Sequence, residues 1–186
     1  MLILFAMVAL MWAVELVDAI AAARLDRHGI EARELDGLDG VVTAPFLHVG
    51  FGHLVANTIP FVVMGVVIAL EGPGRLVGVT AIVALVSGLG TWVVAAEGTI
   101  HVGASGVVFG YATYLIARGW FNRAPAEIAI GVVVALIWGG TLLGGLQPQR
   151  GISWEGHLFG AIGGVAAAAM LQRPRRHTAA PINTSG

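Results

Sequence analysis

Hydrophobic positions in this chain fall into six long runs separated by short polar breaks. A helix that crosses the hydrocarbon core of a bilayer needs about 20 mainly apolar residues. Residues 2–23, 50–70, 76–96, 104–117, 126–143 and 154–171 answer to that, although the fourth run is short for a full span. The breaks are of kinds that end helices. A charged stretch, 24–39, closes the first run, and Glu71-Gly72-Pro73-Gly74-Arg75 closes the second. Arg123-Ala124-Pro125 and Gln147-Pro148-Gln149-Arg150 bound the fifth, since proline and glycine interrupt helical hydrogen bonding. The pattern predicts an all-α membrane protein, a six-helix bundle over residues 1–172, with a short basic, disordered tail at 173–186. The first run ends in alanines, as a secretory leader does, but it lacks a basic start and carries Glu15 and Asp18, so it reads as a true span.

Composition agrees with this picture. Charged residues make up 11% of the 186, against about 25% in average soluble domains, and the mean hydropathy is +0.85. All ten basic residues are arginines, scattered between apolar runs, and the net charge is -1, so no basic stripe suggests a nucleic-acid partner. The absence of cysteine excludes disulfides, thiolate metal sites and cysteine nucleophiles. With the first span starting in the cytoplasm, the inner connections and tail hold six arginines and the outer ones four, which places both termini in the cytoplasm of a multi-pass cell-membrane protein. The Arg-only, Ala/Gly/Val-rich usage points to a bacterial source.

In a six-span chain, the second, fourth and sixth spans enter from the same side, so their first turns lie at one depth. His53 and Asn57 open the second, Ser105 in Gly103-Ala104-Ser105-Gly106 opens the fourth, and His157 in Trp154-Glu155-Gly156-His157 opens the sixth. His53 and Asn57 are four apart and share a helix face. Gly106 and Gly110 on the fourth span, and Gly156, Gly160 and Gly164 on the sixth, repeat small residues every fourth position, which lets two backbones approach closely. A serine hydroxyl must come within about 2.6 to 3.2 Å of a histidine nitrogen for proton transfer. Polar groups are costly in hydrocarbon, so this set marks a candidate acyl-transfer site.

These motifs resemble those of the rhomboid intramembrane serine proteases. His53-x3-Asn57 on the second span, Gly-Ala-Ser-Gly opening the fourth and His157-x2-Gly160-x3-Gly164 on the sixth occur in the family's order, and the likeness covers most of 1–171. The resemblance implies Ser105 as nucleophile and His157 as its general base, with His53, Asn57 and the Ser105 amide forming an oxyanion hole. Gly103, Gly160 and Gly164 support the site, and Phe109 matches the aromatic position that packs on the catalytic histidine. It further implies cleavage of transmembrane segments of other membrane proteins near the outer face, with small residues at the cut bond and no metal or cofactor. Many members carry a Trp-Arg pair after the first span. Asp39-Gly40 stands there instead, which implies a different anchorage of that loop. His48 lies near a further histidine position of the family.

Rival chemistries lack their motifs. There is no His-Glu-x-x-His, and His48 and His53, five apart, do not share a helical face. Asp18 is the sole aspartate in a span, and the hydrolase elbow Gly-x-Ser-x-Gly is missing. No carboxylate is placed to orient His157, because Glu155 points to another face, so a Ser-His pair is expected rather than a triad. Plainer readings exist. Ser105 can be a packing residue, His157 an interhelical hydrogen-bonder, and His53 with Asn57 a cap for the second span. His28 and His101 read as solvated loop residues. The alternative function is a catalytically silent relative that binds transmembrane clients.

Overall fold

The computed structural model describes residues 1–21, 24–149 and 151–172. Arg150, Ala22, Ala23 and the basic tail lie outside the described residues, and with them part of the arginine count used for orientation. Six long helices follow the six hydrophobic runs: α1 (Leu2–Ala21), α3 (Phe51–Ala69), α4 (Pro73–Val94), α5 (Ser105–Asn122), α6 (Pro125–Gly145) and α7 (Trp154–Met170), with a one-turn helix α2 (Gly40–Thr43) between the first two. Two short strands, β1 (Ile30–Glu31) and β2 (Ile100–His101), pair antiparallel with Ile30 opposite His101.

Helix starts follow the punctuation in the sequence. Gly50, Gly72 and Gly103 hold positive φ of 88°, 112° and 114° just before α3, α4 and α5, a conformation that glycine enters without a Cβ penalty. Pro73 and Pro125 stand in the first turns of α4 and α6, where a missing N–H costs nothing. The fourth run extends further than expected, to Asn122, because α5 carries on through Arg118 and Gly119 until Arg123 turns left-handed at φ 52°.

Helices α1, α3, α4 and α6 are long and apolar enough to cross a membrane. Helices α5 and α7 are shorter, at 18 and 17 residues, and mix in more glycine and polar residues. Position explains the difference. Most of α5 is buried against other helices, so its surface meets protein rather than solvent or lipid, and small or polar residues are tolerated where they have partners.

The centre of the bundle is a three-helix contact of α4, α5 and α7. A methyl group on Gly160 would stand 2.1 Å from the carbonyl oxygen of Gly106, and one on Gly164 2.1 Å from that of Gly110. A methyl on Gly110 would meet Val83 of α4 at 2.1 Å and the Gly160 carbonyl oxygen of α7 at 2.8 Å. At the end of the bundle remote from Ser105, Arg118, only 4% exposed, pairs with Glu71. Arg75 lies 3.6 Å from Glu71 and also donates to the Leu171 carbonyl. A buried cation is tolerable there because it is paired.

The segment between α1 and α3 is anchored by backbone packing. A methyl on Gly40 would lie 2.4 Å from the carbonyl of Gly29, and one on Gly37 2.3 Å from that of Glu31. Thr43 Oγ1 donates to His28 O at 2.6 Å, and Trp92 Nε1 of α4 donates to Glu34 O at 2.8 Å. This is how the chain holds the loop in which Asp39-Gly40 stands.

Gly160→Ala is expected to force α5 and α7 apart and to destabilise the bundle by about 1–3 kcal/mol. Gly139→Ala in α6, whose added methyl meets nothing within 4 Å, should leave thermal unfolding in detergent unchanged or raise its midpoint. Equal midpoints for the two variants would refute the contact.

Candidate active site

The first turns of α3, α5 and α7 meet around a cavity of about 470 Å³ lined by His53, Asn57, Ser105, Phe109 and His157. Its far walls are apolar, with Pro60 and Met64 from α3 and Trp138 and Leu142 from α6. A second, more open cavity of about 870 Å³ adjoins it and shares His53, Val102, Gln149, Gly151, Ile152 and Ser153. Loop residues, with His53 and the first residues of α7, line this outer cavity.

Ser105 is the first residue of α5, and its Oγ lies 2.9 Å from His157 Nε2. His157 Nδ1 lies 2.8 Å from the carbonyl oxygen of Gly145 at the end of α6. A carbonyl only accepts, so Nδ1 carries the proton and donates, which leaves Nε2 to accept from the Ser105 hydroxyl. The Phe109 ring stacks on the imidazole, with centroids 4.1 Å apart and planes within 8°. Two chemically different contacts thus hold one ring: a stacked face and a hydrogen bond at its rear nitrogen. Gly145 has no room for a side chain, since a methyl there would stand 2.5 Å from Phe109 Cζ and 2.9 Å from His157 Nδ1.

His53 and Asn57 sit on one face of α3. His53 Nδ1 accepts from the Val49 N–H at 3.5 Å, so the second ring nitrogen is the one left to carry a proton. That nitrogen faces Gly103, where a methyl would lie 2.9 Å from His53 Nε2 and 2.6 Å from Cε1. Glycine is required twice over at this position, by its φ of 114° and by the ring beside it. Asn57 Nδ2 donates to His53 O at 3.0 Å with one of its two hydrogens, and the residue is buried. The Ser105 N–H opens a helix and has no intrahelical acceptor.

Reading the sequence did not assign His48 or Gly145. His48 is 1% exposed and its Nε2 accepts from the Ala104 N–H at 3.3 Å, while the Gly103 N–H donates to Ala44 O at 2.9 Å. These two bonds hold the backbone that delivers Ser105. The His48 and His53 rings meet edge to face at 5.1 Å, although the residues are five apart, because His48 precedes the helix and helical spacing does not govern it. Burial, with the neighbouring His53, pushes the His48 pKa down to about 4, which keeps it a neutral acceptor. The proximity of His48 to the motif was the available signal; for Gly145 it was a glycine pair, Gly144-Gly145, closing an apolar run. His101, expected to be solvated, is half-buried, and both its ring nitrogens have hydroxyl partners.

A family model described as Rhomboid domain matches residues 37–174. The chain is 46% identical over 177 residues to an uncharacterized protein of Mycobacterium tuberculosis, covering 91% of this chain and 74% of that one. A similar protein of Mycobacterium leprae is 44% identical over 181 residues, covering 92% and 71%. A Bacillus subtilis protein named "Putative rhomboid protease YdcA" is 29% identical over 126 residues, covering 67% of this chain and 62% of its own.

His48 has a pH signature. Its pKa in the folded chain lies below the ordinary histidine value, so the unfolded chain takes up the proton first as pH falls. Stability is fully present above about 6.5 and is lost as pH drops toward about 4, by at most about 3 kcal/mol. His48→Gln should flatten that part of the profile, measured by unfolding in detergent between pH 7 and 4. An unchanged slope would remove His48 as its source.

Proposed function

The chain belongs to the rhomboid family, and on that premise we propose that it is an intramembrane serine endopeptidase whose nucleophile is Ser105 and whose general base is His157. The observation that carries the reading is the 2.9 Å hydrogen bond between the two, with His157 held from behind by the Gly145 carbonyl. The substrates are transmembrane segments of other membrane proteins. All six long helices span the bilayer, within a membrane domain of residues 1–172. Both termini are cytoplasmic, and the Ser105 end of the bundle faces outward.

The chemistry follows from the proton positions. Ser105 Oγ attacks the scissile carbonyl as its hydrogen passes to His157 Nε2, and the resulting imidazolium is stabilised at Nδ1–H by Gly145 O. The oxyanion is received by the Ser105 N–H and by N–H groups of His53 and Asn57. His157 then gives its proton to the departing amine, which leaves an acyl ester on Ser105. Water entering through the outer cavity loses a proton to His157 and attacks that ester, releasing the second product and restoring the serine. A base held this way contributes about 10² to 10⁴-fold, and each oxyanion donor about 10² to 10³-fold. The pairing differs from a triad in that a backbone dipole takes the place of a carboxylate. The apolar environment would make a second charged group costly.

Cleavage of a transmembrane substrate in liposomes is the test. Ser105→Ala should abolish it, His157→Ala should leave at most a trace, and Asn57→Ala should slow it by about 10² to 10³-fold. Equal cutting by Ser105→Ala, or none by the native chain across several substrates, would replace this reading with that of a client-binding relative.

A further inference from the structure

We propose that His101 is a positioning residue for this reaction: it clasps the N-terminal turn of α7 to the connection that leads into α5, and so holds His157 against Ser105. The proposal rests on the protease reading above. His101 stands four residues before Ser105, and its partner Ser153 stands four residues before His157. The clasp therefore joins the same two helices as the Ser105–His157 pair, one turn further out.

The hydrogen bonds have one consistent direction. Thr99 Oγ1 donates to Ala96 O and lies 2.9 Å from His101 Nε2, so Nε2–H is the donor to the threonine oxygen. His101 Nδ1 is then unprotonated and accepts from Ser153 Oγ–H at 2.7 Å. Ser153 Oγ in turn accepts from the Gly156 N–H at 3.3 Å, as the N-cap of α7. The chain runs from Gly156 through Ser153, His101 and Thr99 to Ala96 without a break. Burial holds the His101 pKa below the ordinary value, against the opposing effect of nearby Glu155, in keeping with a neutral ring.

Both ends of the clasp are themselves supported. On one side, His101 belongs to β2, paired with Ile30, and the Ala32 N–H donates to Thr99 O at 3.2 Å. On the other, the His157 N–H donates to Ser153 O at 3.1 Å, and Ser87 Oγ of α4 donates to Gly156 O at 2.8 Å. Displacing Ser153 therefore displaces the turn that carries the imidazole. A shift of about 1 Å at a reacting pair can cost about 10²-fold in rate. His101 touches neither Ser105 nor His157 in this arrangement, so its effect passes through Ser153.

The experiment compares the native full chain with His101→Ala, His101→Asn, Ser153→Ala and the double variant His101→Ala/Ser153→Ala. Two readouts are taken in detergent: amide hydrogen exchange across the first turn of α7, and kcat and KM on a transmembrane substrate. His101→Ala should speed exchange at Gly156 and His157 and lower kcat ten- to a hundredfold with KM within about twofold. His101→Asn, which keeps an acceptor for the Ser153 hydroxyl, should recover most of the rate. The double variant should be no slower than the slower single variant, because the two residues form one linkage. Unchanged exchange, or a fully retained kcat in His101→Ala, overturns the proposal. A variant that fails to fold is replaced by Ser153→Ala, which breaks the same bond from the other side. If the native chain cuts no substrate, the protease reading is what fails, and exchange alone then decides whether the clasp exists.

Discussion

The carbonyl oxygens of Gly106 and Gly110 lie so close to α7 that neither Gly160 nor Gly164 could carry even a methyl group. Two helices that carry ordinary side chains at their contact pack with axes about 8–10 Å apart, and small residues let the backbones come closer. Much else rests on this approach. It brings Ser105 and His157 within hydrogen-bond reach, sets α7 against α4 through Ser87, and leaves α6 at the side, where Gly145 can meet the back of the imidazole.

Close backbones also simplify the electrostatics. Inside an apolar bundle, an isolated charge is expensive and an unmatched donor or acceptor costs several kcal/mol. The rings around Ser105 meet backbone atoms rather than charged side chains: Gly145 O behind His157, Val49 N–H behind His53, and Ala104 N–H on His48. At the other end of the bundle, Glu71, Arg75 and Arg118 compensate one another.

The segment between α1 and α3 serves as a strut. It has little regular structure, yet it pairs with β2, receives the Trp92 indole N–H, and supplies Ala44 O and His48 to the backbone ahead of Ser105. Asp39-Gly40 fits this role through the close packing of Gly40 on Gly29. A bulky residue at position 40 would require the whole segment to move.

The rhomboid membership, the helical membrane architecture and the appearance of Ser105, His53, Asn57 and His157 in the first two turns of alternate helices were legible in the sequence, because hydropathy and the four-residue spacing of glycines are local properties. The hydrophobic run 104–117 is shorter than the helix it predicts, because Arg118 continues α5 once it is paired with Glu71. Spacing argued that His48 and His53 lie apart, and His101 read as solvated, because both judgements depend on what surrounds a loop. The partners Gly145 O, Ala104 N–H and Ser153 Oγ were decided by tertiary structure alone. Two of these are backbone atoms, which every residue possesses and no sequence pattern marks. Their identity comes from which turn of which helix arrives beside the ring, and that is a property of the packed bundle.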